Sequence, residues 1–272
     1  MKKRTSLIFI HLPRTGGTTL SKILKRQYCS GQTFSIKGSN NKNSIKKFKN
    51  LSQEKRKKIR YLEGHVPFGL HKYLFFKPAY ITILRHPVNR LISHFYLAKS
   101  NPNHYLYSRV KDRDMSFVDY IQSKISSELD NGQTRLLSGL KAVDTVHGHG
   151  KVTEKVFRRA KKNIKEFFPL VGTTEKFDHF LILLKEYFKW NNVFYFKKNV
   201  SPRKKKIRVN SKIRKIIEEN NQSDLKLYQY VNKKLDKLIK KDKNLGKKLK
   251  RFRRLNKIYS PLLKIYNSIC RL

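Results

Sequence analysis

Between Leu7 and Leu24 the chain reads LIFIHLPRTGGTTLSKIL, and these residue types suit the capture of phosphate or sulfate. Gly16 and Gly17 let the backbone turn tightly and approach a ligand. Thr18 and Thr19 add hydroxyls, and Arg14 places a fixed cation at the lip. The run Leu7–Ile10 has the length and character of a buried parallel strand. Pro13 cannot continue its ladder, and an amphipathic segment from Leu20 reads as a helix. A strand that ends in a glycine turn before a helix gathers amide N–H groups where the helix dipole favours negative charge. The nucleoside-triphosphate P-loop is excluded, because G-x-x-x-x-G-K-[ST] requires a leading glycine and a lysine that this loop lacks. An ordinary glycine-rich turn is the competing reading.

Two further groups could act with this loop. Tyr80–Leu84 reads as a second buried strand, and Pro87 opens a helix running to about Ala98. Arg85 therefore leaves the carboxyl end of a strand, where open α/β sheets place their ligands, and Ser93 lies two turns into the helix. In YLEGHVPFGL, Gly64 and Pro67 mark a turn around His65, and period-2 spacing puts Glu63 and His65 on one face. A histidine with a reference pKa near ~6.5 is largely neutral at physiological pH and can act as a base.

HLPRTGGTT resembles the 5′-phosphosulfate loop of the sulfotransferases that include the heparan sulfate 2-O- and 6-O-enzymes and many bacterial relatives. Their usual form is close to H-x-P-K-T-G-G/A-T-[TS], and here Arg14 stands at the lysine position. The stretch R-x-P-V-x-R-x-x-S from Arg85 to Ser93 resembles the family's 3′-phosphate site. Glu128–Gly139 (ELDNGQTRLLSG) is similar to the family's N-x-Q-T-R-x-L-x-G segment, which helps shape the cleft. Val193–Lys206 reads as a short strand and a basic loop, and resembles the family's N-V-S-x-x-R-P stretch, with a lysine run replacing its arginine-proline ending. The resemblance covers about residues 6–235.

This resemblance implies a P-loop-like three-layer α/β sandwich with a central, mainly parallel sheet flanked by helices. It also implies transfer of a sulfuryl group from 3′-phosphoadenosine 5′-phosphosulfate to an acceptor hydroxyl, most simply that of a carbohydrate or polysaccharide, with no metal demanded. Donor contacts are expected from Arg14, Thr15, Gly16, Gly17, Thr18, Thr19, Arg85 and Ser93, and from Ser201 and Arg203 in the closing loop. His65 is the expected general base and Glu63 the runner-up. Arg14 would neutralise the leaving oxygen but, unlike lysine, cannot readily donate a proton. For that reason a nucleotide-binding but catalytically impaired member is an alternative.

The 272 residues suit one α/β domain, expected over 1–240, with a basic helical extension at 241–272. With 64 Lys+Arg against 18 Asp+Glu the net charge is +46, which predicts attraction to polyanions. A nucleic-acid binder would share that charge, yet no helix-turn-helix, zinc-finger or RNA-binding consensus accompanies it. Coding bias towards lysine explains part of it equally well. Cys29 and Cys270 form no disulfide framework or zinc pattern, so a reducing, cytoplasmic setting is expected. No run approaches the ~18 apolar residues of a membrane span. His147–Gly150 (HGHG) reads as a flexible loop. Residues 30–50 read as a polar surface insertion and 51–60 as a charged helix. In the extension, Leu255, Ile258, Tyr259, Leu262, Leu263, Tyr266 and Ile269 recur at helical spacing, interrupted by Pro261. Such a helix fits either docking on its own domain or peripheral contact with an anionic membrane.

Overall fold

The computed structural model describes residues 5–36, 41–140, 150, 152–196 and 207–269. The first half of the chain forms β1 (Thr5–Ile10), α1 (Gly17–Lys25), β2 (Thr33–Ile36), α2 (Asn41–Lys49), α3 (Gln53–Lys58) and β3 (Tyr61–Gly64). Next come β4 (Lys77–Leu84), α4 (Pro87–Ser100), α5 (Tyr107–Lys111), α6 (Phe117–Gln122) and α7 (Gly132–Leu137). The rest supplies α8 (Glu154–Phe167), β5 (Leu170–Thr173), α9 (Phe177–Phe188), α10 (Ser211–Asn220), α11 (Gln222–Lys241) and α12 (Leu245–Ile269).

The strands form one five-stranded sheet, ordered β2-β3-β1-β4-β5, and every pairing in it is parallel. β1 is central because both of its faces are apolar, and successive side chains go to opposite sides. Leu7 and Phe9 meet residues of α1, α9 and α12 on one face. Ile8 and Ile10 meet α2, α7, α8 and α11 on the other. Helix, sheet and helix thus make three layers. A third cluster joins α4, α5, α6 and α10 beside the sheet. After β3 the chain crosses from one side of β1 to the other to form β4, so a switch-point crevice opens where β1 and β4 end.

Four local expectations change. α1 begins at Gly17 rather than Leu20, which brings Thr18 and Thr19 into its first turn. The 30–50 stretch is not merely an insertion, because Thr33–Ile36 pairs with β3 as an edge strand. Its Phe34 and Ile36 alternate with Thr33 and Ser35, a pattern too short to stand out from polar surroundings. Val193–Phe196 forms no strand. There the Tyr195 amide donates to Asn256 Oδ1 at 2.7 Å and its carbonyl accepts from Asn256 Nδ2 at 2.9 Å, so a side-chain amide on α12 replaces a neighbouring strand. α12 itself runs on through Pro261. Leu245 and Phe252 on α12 are buried against α9, with Leu249 packed beside them. No helix of the described residues is long and apolar enough to cross a membrane.

Candidate active site

The loop between β1 and α1 holds its shape through backbone geometry. Arg14 has φ 66° and Gly16 φ 87°, an alternation that turns successive amides towards one point. Gly16 caps α1 with no side-chain bond, leaving the helix's N-terminal dipole facing outward. At Gly17 a Cβ would lie 2.0 Å from the His11 ring, so only glycine lets the helix start against that imidazole. Thr15 turns its side chain away from the loop's mouth. Its buried hydroxyl donates to the Leu12 carbonyl at 2.9 Å, closing the loop from inside.

The Arg14 and Arg85–Ser93 stretches meet across this loop. Arg14 donates to Ser93 Oγ through Nε at 3.0 Å and Nη2 at 2.8 Å, and Arg85 Nη1 donates to the Arg14 carbonyl at 3.1 Å. Burial and the neighbouring Arg85 both lower the Arg14 pKa. Two guanidiniums that repel each other in a partly desolvated crevice favour a bound anion.

Behind Arg85 stands a buried clamp from the Glu128–Gly139 segment. Gln133 Oε1 accepts from the Arg85 amide at 2.9 Å, and Gln133 Nε2 donates to the Arg85 carbonyl at 3.0 Å. Asp224, at the start of α11, accepts from the Gln133 and Thr134 amides at 3.1 and 2.7 Å. Asn131 closes the circuit, accepting from the Asp224 amide at 3.0 Å. Asn131, Gln133, Thr134 and Asp224 are buried, so their shared hydrogen bonds fix where Arg85 leaves β4.

These groups line a cavity of about 560 Å³ that includes Arg14, Gly16, Gly17, Thr18, Thr19, Arg85 and Ser93. That size suits a nucleotide-scale ligand. The far wall comes from Thr174–His179, Tyr195 and Arg253. Asp178 joins it, accepting from the Tyr195 hydroxyl at 2.8 Å and from Arg253 Nε at 2.7 Å. Thr174 fastens the two ends, its hydroxyl lying 2.7 Å from the Thr15 carbonyl. Sequence reasoning missed His11, Glu175, Tyr195 and Arg253 as lining residues. His11 stood inside the first motif, whereas nothing distinguished Arg253 among the basic residues of the extension. Ser201 and Arg203, and His147–His149, lie outside the described residues.

His65 sits beside this cavity. Its ring stacks on His11 at 4.3 Å between centroids, and its Nδ1 is 2.5 Å from the His11 carbonyl. A carbonyl only accepts, so Nδ1 carries the hydrogen and the neutral ring holds its lone pair on Nε2. Gly64 sets the preceding backbone, since a Cβ there would lie 2.7 Å from the Ile36 carbonyl oxygen. Burial, His65 and Lys25 push the His11 pKa well below its ordinary value. Glu63 is differently placed. It is buried on β3, paired with Lys25 at 2.8 Å and hydrogen-bonded by Tyr61 at 2.6 Å and Ser35 at 3.0 Å. Burial raises its carboxyl, but the bonds from Lys25, Tyr61 and Ser21 outweigh this and lower it. A carboxylate so fully engaged ties β2 and α1 to β3 and is a poor proton acceptor.

A second acid–base group flanks His65. His94 Nε2 lies 2.6 Å from Glu128 Oε2 and its Nδ1 2.5 Å from the Tyr120 hydroxyl. Burial would raise the Glu128 carboxyl, yet His94, Arg90 and His65 hold it down at about 2. His104 packs edge-on to His94, and its pKa falls to about 4, chiefly through burial.

A parallel α/β sheet with a glycine-turned loop and paired arginines at its switch point is an arrangement suited to group-transfer enzymes of the phosphate- or sulfate-handling kind. The chain belongs to the sulfotransferase family, whose model matches residues 1–231. It is 23% identical to the heparan sulfate 2-O-sulfotransferase hst-2 of Caenorhabditis elegans over 265 residues, covering 88% of this chain and 80% of that protein. With human heparan sulfate 2-O-sulfotransferase 1 the identity is 24% over 199 residues, covering 66% of this chain and 53% of the human protein. Among solved structures, mouse sulfotransferase SULT7A1 complexed with PAP aligns over 93% of this chain and 89% of its own, at 11% identity and a TM-score of 0.40.

Proposed function

We propose that this sulfotransferase moves a sulfuryl group from 3′-phosphoadenosine 5′-phosphosulfate to a hydroxyl of a carbohydrate acceptor. The observation that carries the reading is the single cavity in which the Gly16–Thr19 loop, Arg14, Arg85 and Ser93 converge. The loop amides and the Thr18 and Thr19 hydroxyls receive the 5′-phosphosulfate, while Arg85 and Ser93 receive the 3′-phosphate. Tyr195, Phe177 and Arg253 are left to meet the nucleoside.

The acceptor hydroxyl gives its proton to His65 Nε2 as its oxygen attacks sulfur. The bond between sulfur and the phosphate oxygen breaks, and adenosine 3′,5′-bisphosphate leaves. Charge gathering on the leaving oxygen is balanced by Arg14 and the first-turn amides, which are already oriented and need no reorganisation. Arg14 supplies charge there rather than a proton. The likeness to two heparan sulfate enzymes supports a glycan acceptor, and the net charge of +46 suits an anionic one. His65 is favoured over Glu63 because the carboxylate is held by Lys25, Tyr61 and Ser35. Incubation with ³⁵S-labelled donor and an array of sulfated and unsulfated glycans tests the assignment. Label on hydroxyl-bearing glycans, lost in His65→Ala, is the expected result. Donor binding without transfer to any glycan would overturn the acceptor class.

A further inference from the structure

The apolar residues of α12 fall into two sets with opposite surroundings. Leu245, Leu249 and Phe252 pack into the domain against α9. Beyond them Ile258, Leu262 and Ile265 are 60%, 59% and 58% exposed. Spacings of four and three residues make these a single stripe. Counted at ~100° per residue, the stripe points away from Leu245 and Leu249 and so away from the domain. Tyr259 flanks it, partly exposed and stacked on Phe194. The other exposed large apolar side chains among the described residues, Phe75, Tyr105 and Tyr187, stand apart on separate elements. Such a concentration marks an interaction surface.

Its charge identifies the partner. From Lys243 to Leu272 the sequence holds ten Lys and Arg and no Asp or Glu. Arg251 and Arg254 continue the stripe's side of the helix, Lys257 flanks it, and all three are exposed. A second copy of the chain would set two acid-free helices against each other. A polyanion alone would satisfy the cations and leave the stripe in water. We propose that the distal half of α12 docks flat on a bilayer with anionic headgroups, its stripe entering the acyl boundary and its cations meeting lipid phosphates. Because Arg253 on the same helix lines the cavity, docking holds the site close to the membrane surface.

The full chain is sedimented with vesicles of phosphatidylcholine, alone or mixed with phosphatidylglycerol. It should bind the mixed vesicles and not the neutral ones. The triple variant I258S/L262S/I265S should lose at least about tenfold in apparent affinity, since each side chain contributes apolar burial. Its heparin-column elution and nucleotide binding should stay unchanged. R254E/K257E should lose vesicle binding with the stripe intact. Triple-variant binding equal to the parent, or equal binding to both vesicle types, overturns the proposal. So does a parent dimer in sedimentation velocity that the triple variant converts to monomer, since the stripe would then be a seam between copies.

Discussion

The two ends of the cavity are built by different means. At the end proposed to hold the phosphates, the lining groups come from the β1–α1 loop, the first turn of α1, the residue after β4 and the second turn of α4. The backbone there is fixed by glycine conformations and by the buried Gln133–Asp224 clamp. At the far wall, Asp178, Tyr195 and Arg253 come from three separate stretches and hold one another through side-chain bonds. Arg253 is itself 60% exposed. The difference teaches where precision is required. Charge on a breaking sulfur–oxygen bond must be met without reorganisation, whereas a nucleoside can be held by a wall that adjusts.

Mutations at the two ends should therefore separate turnover from affinity. The largest effect is expected beside the phosphate end, where His65→Ala should cut kcat by roughly 10²–10⁴-fold. Affinity for adenosine 3′,5′-bisphosphate and the melting temperature should hardly move. A fully active variant would remove His65 from the chemistry. Arg14→Ala should lower kcat by about 10²-fold, the cost of losing one preorganised charge-stabilising group, while Arg14→Lys should keep or raise it. Unchanged kcat in the alanine variant would place Arg14 away from the leaving group.

At the far wall, Arg253→Ala should weaken nucleotide binding only about twofold to fivefold, as an exposed ion pair contributes little, with kcat intact. A kcat loss matching that of Arg14→Ala would erase the distinction between the ends. The smallest effect concerns stability. Glu128 is held at about 2 in the folded protein, below the ~4.3 of a free glutamate. Its contribution is thus present above the unfolded value and lost as pH falls from there through the folded one. Urea midpoints should decline over that window, and less steeply in Glu128→Gln. Parallel declines would give Glu128 no part in acid sensitivity.

The same contrast explains what the sequence disclosed. Gly16, Gly17, Arg85 and Ser93 carry their geometry in short local patterns, so the strand–turn–helix units and the convergence of these residues on one cavity were readable in the sequence. The inward turn of the Thr15 hydroxyl was not legible, because a loop motif does not say which hydroxyl faces the interior. Glu63 looked available for catalysis until Lys25, Tyr61 and Ser35 were seen around it. Arg253 and Asn256 were invisible as wall and strand substitute, because their roles depend on α12 folding back over a non-strand segment around Tyr195. Even α12's division into a docked and an exposed half needs tertiary packing to appear, since both halves share one basic composition.

The central claim is that Arg85 and its neighbours read a 3′-phosphate on a nucleotide seated in this cavity. Isothermal titration of adenosine 3′,5′-bisphosphate and 5′-AMP into the parent and Arg85→Ala tests it most directly. A charge-assisted phosphate contact is worth roughly 1.5–3 kcal/mol. The parent should accordingly prefer the bisphosphate by at least about tenfold, and the variant should lose that preference while retaining its affinity for 5′-AMP. Equal binding of both nucleotides by the parent, or equal weakening of both in the variant, would contradict the account.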